Sequence, residues 1–326
     1  MEKKIISFAV AITMLIFVMF QSAVTGSIQL SVWDLVHGLF TGEEQAQIVK
    51  DLRFPRIIVG MLAGATLSVA GALLQAVVRN PLAEPGIIGI SSGAGFFSVL
   101  IIYFFPTLFF YVPLFAFFGG SIAFLFVYSL SWKSGFNPLR LILIGVAVNA
   151  VFTGLLQIFN FTGSSMIEAV GNMTMSDLSM KNWSDVNMIS IYGAIGLFLS
   201  YFVYAWCNYL ALDDKTAKSL GFNVNIARFV IAAIAVLLAS IATSIAGMFA
   251  FAGLIVPHIG RSLVGTDYKL LIPFSALIGA LLILAADTLG RTIVSPNEIP
   301  ASVIVSLIGG PFLIILLRKS DRVYGS

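Results

Sequence analysis

Charged side chains are scarce in this 326-residue chain, where they make up 10% of the residues, against about 25% in an ordinary soluble domain. Hydrophobic residues make up 59%, and the mean hydropathy is +1.01. A soluble protein is therefore excluded, and the chain is predicted to span a membrane and to contact membrane lipid. Its net charge of +3 is then explained by loops at the membrane surface, so no nucleic-acid partner is expected.

Cysteine is nearly absent, and nucleotide-binding motifs and buried acidic series are missing. The single cysteine, Cys207, cannot form an internal disulfide and is interpreted as an apolar filler. No G-x-x-x-x-G-K-[ST] loop is present, so the chain is not expected to hydrolyse ATP. His258, alone in an apolar stretch, would make a poor metal site. We therefore expect no catalytic residue, no metal and no cofactor on this chain.

Long stretches without a charged residue replace the missing polar surface. The 22 residues from Ile57 to Val78 would extend about 33 Å as a helix, enough to cross a hydrocarbon core of about 30 Å. Nine crossings follow from such windows, because the longest window is divided in two at residues 106–113. The windows are residues 5–33, 57–78, 85–132, 141–167, 186–212, 229–257, 270–286 and 299–317.

The distribution of basic residues predicts the topology and a tenth crossing. Cytoplasmic loops are enriched in Lys and Arg, but nine crossings would leave the basic residues of 318–322 outside. A short crossing within residues 249–265, where Gly253 and Pro257 are expected to break a helix, returns both termini to the cytoplasm. The prediction is an all-α polytopic protein with ten helices. Of its 18 basic residues, 13 are then cytoplasmic, and the 5 external ones are Lys50, Arg53, Arg56, Lys181 and Arg291.

Three of the external cations, Arg53, Arg56 and Arg291, need a reason to lie outside. Anchoring to lipid phosphates is the simplest explanation. Asp287 stands one helical turn before Arg291, so the two side chains are expected to pair along the helix.

The longest cytoplasmic connection covers residues 208–228 and reads NYLALDDKTAKSLGFNVNIAR. Within it, DDKTAKSLGF is predicted to form a short helix that begins at Asp213 or Asp214 and is closed by Gly221. Because this element is more than a turn, a soluble partner could bind it.

Several blocks of the sequence resemble the FecCD-type permeases of ABC importers for ferric siderophores, haem and cobalamin. In chain order they are LRFPR, GALLQAVVRNPLAEPGIIGISSGA, DDKTAKSLGF, GLIVPHIGRSLVG, AADTLGR and EIPASVIVSLIGGPFLIILLRK. The resemblance implies one transmembrane permease domain over residues 1–326, in the cytoplasmic membrane of a bacterium. It also implies inward transport of an iron complex by alternating access.

The resemblance further implies partners and site residues. The partners would be a second permease subunit, identical or paralogous, two cytoplasmic ATPase subunits that bind ATP and Mg, and an extracytoplasmic substrate-binding protein. Docking of that protein would use Arg53, Arg56 and Arg291. Coupling to the ATPase would use Asp213, Asp214, Ala217, Leu220 and Gly221. The cytoplasmic gate would lie at Asn137, Pro138 and Leu139.

One block, SSMIEAVGNMTMSDLSMKNWSDV, departs from the family pattern of a Trp followed by a Gly-rich turn. Packing of a short external helix explains its methionines, Met166, Met173, Met175 and Met180, and haem contact is the second interpretation. The cargo stays open among a ferric siderophore, haem and cobalamin. The two alternative classes are an ion-coupled secondary transporter and an intramembrane enzyme. The sequence offers neither a charged midplane site nor a catalytic constellation for them.

Overall fold

The described part of the chain is almost entirely helical. The structure is a computed structural model, and it describes residues 2–25, 33, 37, 41–132, 138–161, 171, 176–295 and 297–324. No strand occurs among these residues. Their α-helices are α1 (Glu2–Val24), α2 (Glu44–Val78), α3 (Pro85–Ile88), α4 (Ile90–Phe104), α5 (Val112–Trp132), α6 (Pro138–Ile158), α7 (Trp183–Phe202), α8 (Tyr204–Leu210), α9 (Asp214–Ser219), α10 (Val224–Ala246), α11 (Ala252–Val264), α12 (Tyr268–Ile293) and α13 (Ala301–Tyr324).

Each of the ten predicted crossings contains an apolar helix. In the described part of the chain, seven helical segments are long and apolar enough to span a membrane, namely α1, α2, α5 with the 3-10 turn Pro106–Tyr111 before it, α6, α7, α10 and α12. Three shorter apolar helices, α4, α11 and the first part of α13, occupy the other predicted spans. The predicted all-α polytopic class is confirmed. The side of the membrane on which the termini lie stays a prediction.

The outermost helices face their surroundings with large apolar side chains. On α1, Ile5 is 63% exposed and Phe17 is 64% exposed. Such side chains are unfavourable in water but are suited to a hydrocarbon solvent. The exposed side of α1 is therefore suited to face lipid.

The centre of the bundle is formed by α2 and α10. Their membrane-crossing windows are 83% and 78% buried, the highest values among the described spans. Close packing depends on small residues, because a Cβ added at Gly64 would overlap the carbonyl of Gly279, and one at Gly71 would overlap that of Gly253. These glycines let the backbones of α12 and α11 approach α2 directly, which is how small residues favour close helix packing in membranes.

The predicted break at Gly253 and Pro257 is wrong, because both residues lie inside α11. Proline has no N–H, so Pro257 leaves the Gly253 carbonyl without its usual helical donor. Gln75 Nε2 donates to that carbonyl at 3.2 Å, which compensates the loss and lets the helix continue. The chain instead breaks before α11, at residues 247–251, where Gly247 and Phe251 have φ of 87° and 68°.

Polar side chains gather at the two ends of α2. This helix begins at Glu44, 13 residues before the predicted crossing, and carries Arg53 and Arg56 in its first half. Arg79 follows directly after its last residue. The 23 positions from Arg56 to Arg79 correspond to about 34 Å of helix, so the two ends lie on opposite sides of a hydrocarbon core of about 30 Å.

Candidate functional site

The predicted docking arginines belong to a buried ion cluster, here called the arginine cluster: Arg53, Arg56 and Arg291 with Asp287 and Glu298. Arg56 Nε donates to both carboxylate oxygens of Asp287, at 3.0 and 2.9 Å. Arg56 Nη2 lies 2.8 Å from Asp287 Oδ1 and 2.8 Å from Glu298 Oε2. Arg291 Nε lies 3.5 Å from Asp287 Oδ2, one turn along α12, which confirms the predicted Asp287–Arg291 pair.

Two of these arginines also hold the end of α1. Arg53 Nη1 donates to the Ala23 carbonyl at 2.7 Å. Arg291 donates to the Ser22 hydroxyl at 2.5 Å and to the Ser22 and Thr25 carbonyls at 3.2 and 3.3 Å. The last carbonyls of a helix have no donor within the helix, and cations are favourable near them. Arg53 and Arg291 thus cap α1 and fasten it to α2 and α12.

Burial separates the members of the cluster. Each of the three arginines is 8% exposed and Asp287 is 2% exposed, whereas the side chain of Glu298 is 42% exposed. The structure therefore brings the three predicted docking residues together, but their guanidinium groups bond inside the chain. Their docking role stays a prediction. Sequence reasoning missed Glu298 and the caps on α1, although Glu298 opens one of the sequence blocks that carry the family resemblance.

The predicted helix of the long connection is present as α9. Asp213 is its N-cap, since its carboxylate accepts from the Thr216 N–H at 2.9 Å and the Thr216 hydroxyl at 2.7 Å. These bonds hold the pKa of Asp213 below its usual value. At the other end Gly221 has a φ of 77°, and the Phe222 N–H donates to the Ala217 carbonyl at 3.1 Å. This closing pattern is a Schellman motif with glycine in the left-handed position, as predicted.

The predicted coupling residues point in different directions. Ala217 is fully buried, so it packs inward and offers no surface to a partner. Leu220 is 63% exposed, and Asp213, Lys215 and Lys218 are exposed as well. The outer side of α9 is therefore a small surface with an apolar tip and two cations. A role of these residues in ATPase coupling stays a prediction.

Asp214 connects α9 to two long helices through ion pairs. Its Oδ1 lies 2.7 Å from Arg79 Nη2, at the end of α2, and 3.0 Å from Arg228 Nη2, on α10. Arg79 also donates to the carbonyls of Leu210 and Leu212, at 2.6 and 2.5 Å. We call Asp214, Arg79 and Arg228 the α9 ion pairs. Sequence reasoning counted Arg79 and Arg228 only among the cytoplasmic cations and gave neither a role beside Asp214, because these contacts join distant parts of the chain.

The break before α11 is held by a buried carboxyl group. Glu84, in the connection from α2 to α3, is 2% exposed. Its Oε1 accepts from the Phe251 N–H at 3.2 Å, which fixes the left-handed residue that precedes α11. Burial raises the pKa of Glu84 to about 7, and the Phe251 bond opposes that rise. Nothing in the sequence reasoning singled out this residue.

The gate residues lie at the edge of the described chain. Asn137 is outside the described residues, and Pro138 and Leu139 are the first residues of α6. Of the four methionines, Met180 is 81% exposed, and Met166, Met173 and Met175 lie outside the described residues. The predicted gate therefore stays a prediction, and the haem-contact interpretation is untested.

The remaining candidate ligands are dispersed. Cys207 is fully buried, which agrees with an apolar filler. The His258 ring lies edge-on to Phe312 at 5.5 Å. Within the described ranges, no three His, Cys, Asp or Glu side chains come close enough together to hold a metal ion.

The chain is similar to known permeases along its whole length. A model of the FecCD transport family matches residues 14–319. The chain is 44% identical over 322 residues to the probable heme-iron transport system permease protein IsdF of Staphylococcus aureus (strain MSSA476), with 98% of both chains covered. The IsdF protein of strain USA300 shows the same identity and coverage.

Two solved structures are similar in fold. A chain from an ABC transporter assigned to the metal-chelate type, in an inward-facing conformation, superposes with a TM-score of 0.81 and 29% identity, covering 96% of this chain and 99% of the other. PsaBC from Streptococcus pneumoniae in complex with Fab has a TM-score of 0.58 and 18% identity, covering 87% and 95%. The second likeness concerns the fold alone.

Proposed function

This chain belongs to the FecCD transport family, and on that premise we propose that it is the permease subunit of an ATP-driven importer that carries an iron complex inward. It is a multi-pass protein of the cytoplasmic membrane. The observation that carries the proposal is the 44% identity with the heme-iron permease of S. aureus over 98% of both chains. Haem is therefore the first candidate cargo, a ferric siderophore is the second, and cobalamin is the alternative.

The energy for transport comes from a separate ATPase. The sequence has no loop of the kind that holds nucleotide phosphates, so ATP and Mg belong to a partner chain. The outer side of α9, with Leu220, Lys215 and Lys218 exposed, supports a partner at this place. Two permease subunits and two ATPase subunits then form the transporter, and the second permease is either a copy of this chain or a paralogue.

Alternating access is supported by breaks in the helices. Gly89, with φ of 85°, separates α3 from α4, and residues 247–251 separate α10 from α11. Non-helical backbone next to membrane-spanning helices is tolerated where protein or a water-filled cavity surrounds it. Half-helices at such breaks can move relative to each other, which is the change that opening and closing a path requires.

Docking of a binding protein at the arginine cluster is supported by its charge. Arg56 pairs with Asp287 and Glu298, and Arg291 pairs with Asp287, while Arg53 bonds to the Ala23 carbonyl. The three arginines of the cluster therefore outnumber its two carboxylates. An acidic group of a binding protein would be attracted here, and such complementarity acts mainly on orientation and association rate.

Reconstitution into proteoliposomes tests the function. The chain is combined with its ATPase and with a binding protein loaded with haem, a ferric siderophore or cobalamin. We expect ATP-dependent accumulation of haem and stimulation of ATP hydrolysis by the loaded binding protein. A non-hydrolysable ATP analogue is the control. Accumulation driven by a proton or sodium gradient without ATP would contradict the proposal and favour a secondary transporter.

A further inference from the structure

The short helix α9 is connected to the bundle mainly on its inner side. Ala217 packs against the interior, and the Phe222 ring, just after the helix, stacks on Tyr209 at 4.9 Å. Apolar contacts of this kind are non-directional, so they allow sliding. The α9 ion pairs are different, because charge-assisted bonds to guanidinium groups have a fixed direction and a short length.

Asp214 lies where α9, α2 and α10 come together. It binds Arg79 at the end of α2 and Arg228 in the first turns of α10, at 2.7 and 3.0 Å. Arg79 also holds the carbonyls of Leu210 and Leu212, so the chain leading into α9 is fastened to the same guanidinium group. A displacement of α9 therefore pulls on the ends of both helices.

The two helices that Asp214 reaches are the most buried spans of the described chain. α2 packs against α12 and α11, and α10 packs against α5, α7 and α4. Because packed interiors resist continuous deformation, a pull on these helices is passed on to their neighbours. Arg228 is 7% exposed, so the arginine side of its pair with Asp214 is buried away from water and is screened less by salt.

We propose that Asp214 is a positioning residue that transmits the movement of α9 to α2 and α10. This proposal rests on the proposed function, because it takes α9 as the contact of the ATPase. Asp214 acts through Arg79 and Arg228 and does not itself bind the ATPase. When Asp214 is replaced, the ATPase stays bound and active, but ATP is hydrolysed without being coupled to transport.

The test uses the complete transporter in proteoliposomes, with haem on its binding protein as the transported probe. Asp214→Asn keeps the side-chain volume and removes the charge that both arginines bind. The matched control is Asp267→Asn, since Asp267 is an exposed N-cap that binds Asn208 and asparagine is an equally good cap. Three quantities are measured: the ATPase that co-purifies, the rate of ATP hydrolysis, and the haem taken up per ATP hydrolysed.

For Asp214→Asn we expect wild-type amounts of bound ATPase and a fall of about tenfold in haem taken up per ATP, the size typical of changes in a coupling network. Arg79→Gln, which removes one of the two partners, should change the same ratio in the same direction. Asp267→Asn should keep the wild-type ratio. A merely structural role would lower the amount of assembled complex and leave the ratio unchanged.

Three results would overturn the inference. The first is a wild-type ratio in both Asp214→Asn and Arg79→Gln. The second is loss of the ATPase from the Asp214→Asn complex, which would make Asp214 a contact residue. The third is an equal fall in Asp267→Asn. If Asp214→Asn does not accumulate in the membrane, Arg79→Gln decides by the same criteria. Failure of the proposed function is recognised separately, because the wild-type transporter would then show no ATP-dependent uptake.

Discussion

Removal of the Asp287 charge should destabilise this protein strongly. Asp287 is 2% exposed and lies between Arg56 and Arg291, each 8% exposed. Asp287→Asn keeps the shape of the side chain but leaves two buried guanidinium groups without their common carboxylate. The change therefore tests whether the arginine cluster holds the fold together.

The size of the effect follows from burial. Removing one partner of a buried ion pair costs about 3–5 kcal/mol, because an uncompensated charge stays behind. Here Arg56 keeps Glu298 at 2.8 Å, so we expect the lower end, about 3 kcal/mol, or about two orders of magnitude in the folding equilibrium. Glu298→Gln is the matched control. Its side chain is 42% exposed, and an exposed pair contributes only about 0–1 kcal/mol.

Equilibrium unfolding in detergent micelles measures both variants. Arg56→Gln and the double variant Asp287→Asn/Arg56→Gln complete a double-mutant cycle. The double variant should lose less stability than the two single changes added together, because neither charge is then left without its partner. An Asp287→Asn protein within about 1 kcal/mol of wild type, or strict additivity, would refute the assigned role of this buried pair.

Burial also changes how the docking role can be tested. Arg56→Glu would place a third carboxylate within ion-pair distance of Asp287 and Glu298, so loss of uptake would report misfolding as well as lost docking. Arg56→Lys keeps the charge but gives up the bidentate bond to Asp287. Docking is therefore better measured as a rate against salt concentration, at matched protein levels, since association by charge is screened by salt.

Two further predictions concern the connections. Burial raises the pKa of Glu84 from 4.5 to about 7, so the folded state favours the neutral acid. The free energy of unfolding should therefore fall as the pH rises from about 4.5 through 7. The total loss should be on the order of 3 kcal/mol. Thermal unfolding between pH 5.5 and 8 should show this slope in wild type and a flatter one in Glu84→Gln; equal slopes would contradict it. Gly221→Ala should loosen the end of α9 at a cost of about 1 kcal/mol, because φ is positive there. Gly221→Asn should be tolerated better, and ATPase co-purification compares the two; equal retention in both variants would contradict the expected strain.

The helical segments could be predicted because their causes are local. Apolar length predicted nine of the ten crossings, and the distribution of basic residues predicted the tenth; each of the ten contains an apolar helix. The start and end of α9 were predicted for the same reason, since Asp213 bonds to Thr216 three positions on and Gly221 adopts its positive φ within one turn. The break at Pro257 was wrong because the donor that repairs it, Gln75, lies 178 positions from the Gly253 carbonyl.

The sequence by itself determined the solvent, the helical class and the local caps, because hydropathy and capping depend on residues within a few turns of one another. Only the tertiary structure decided which charges are exposed. Arg56 meets Asp287 across 231 positions, and Arg53 meets the end of α1 across 30. No window of sequence contains such pairs, because the exposure of a charge depends on which helices pack beside it. That packing turned three expected surface cations into a buried cluster and brought Asp214 within ion-pair distance of Arg79 and Arg228.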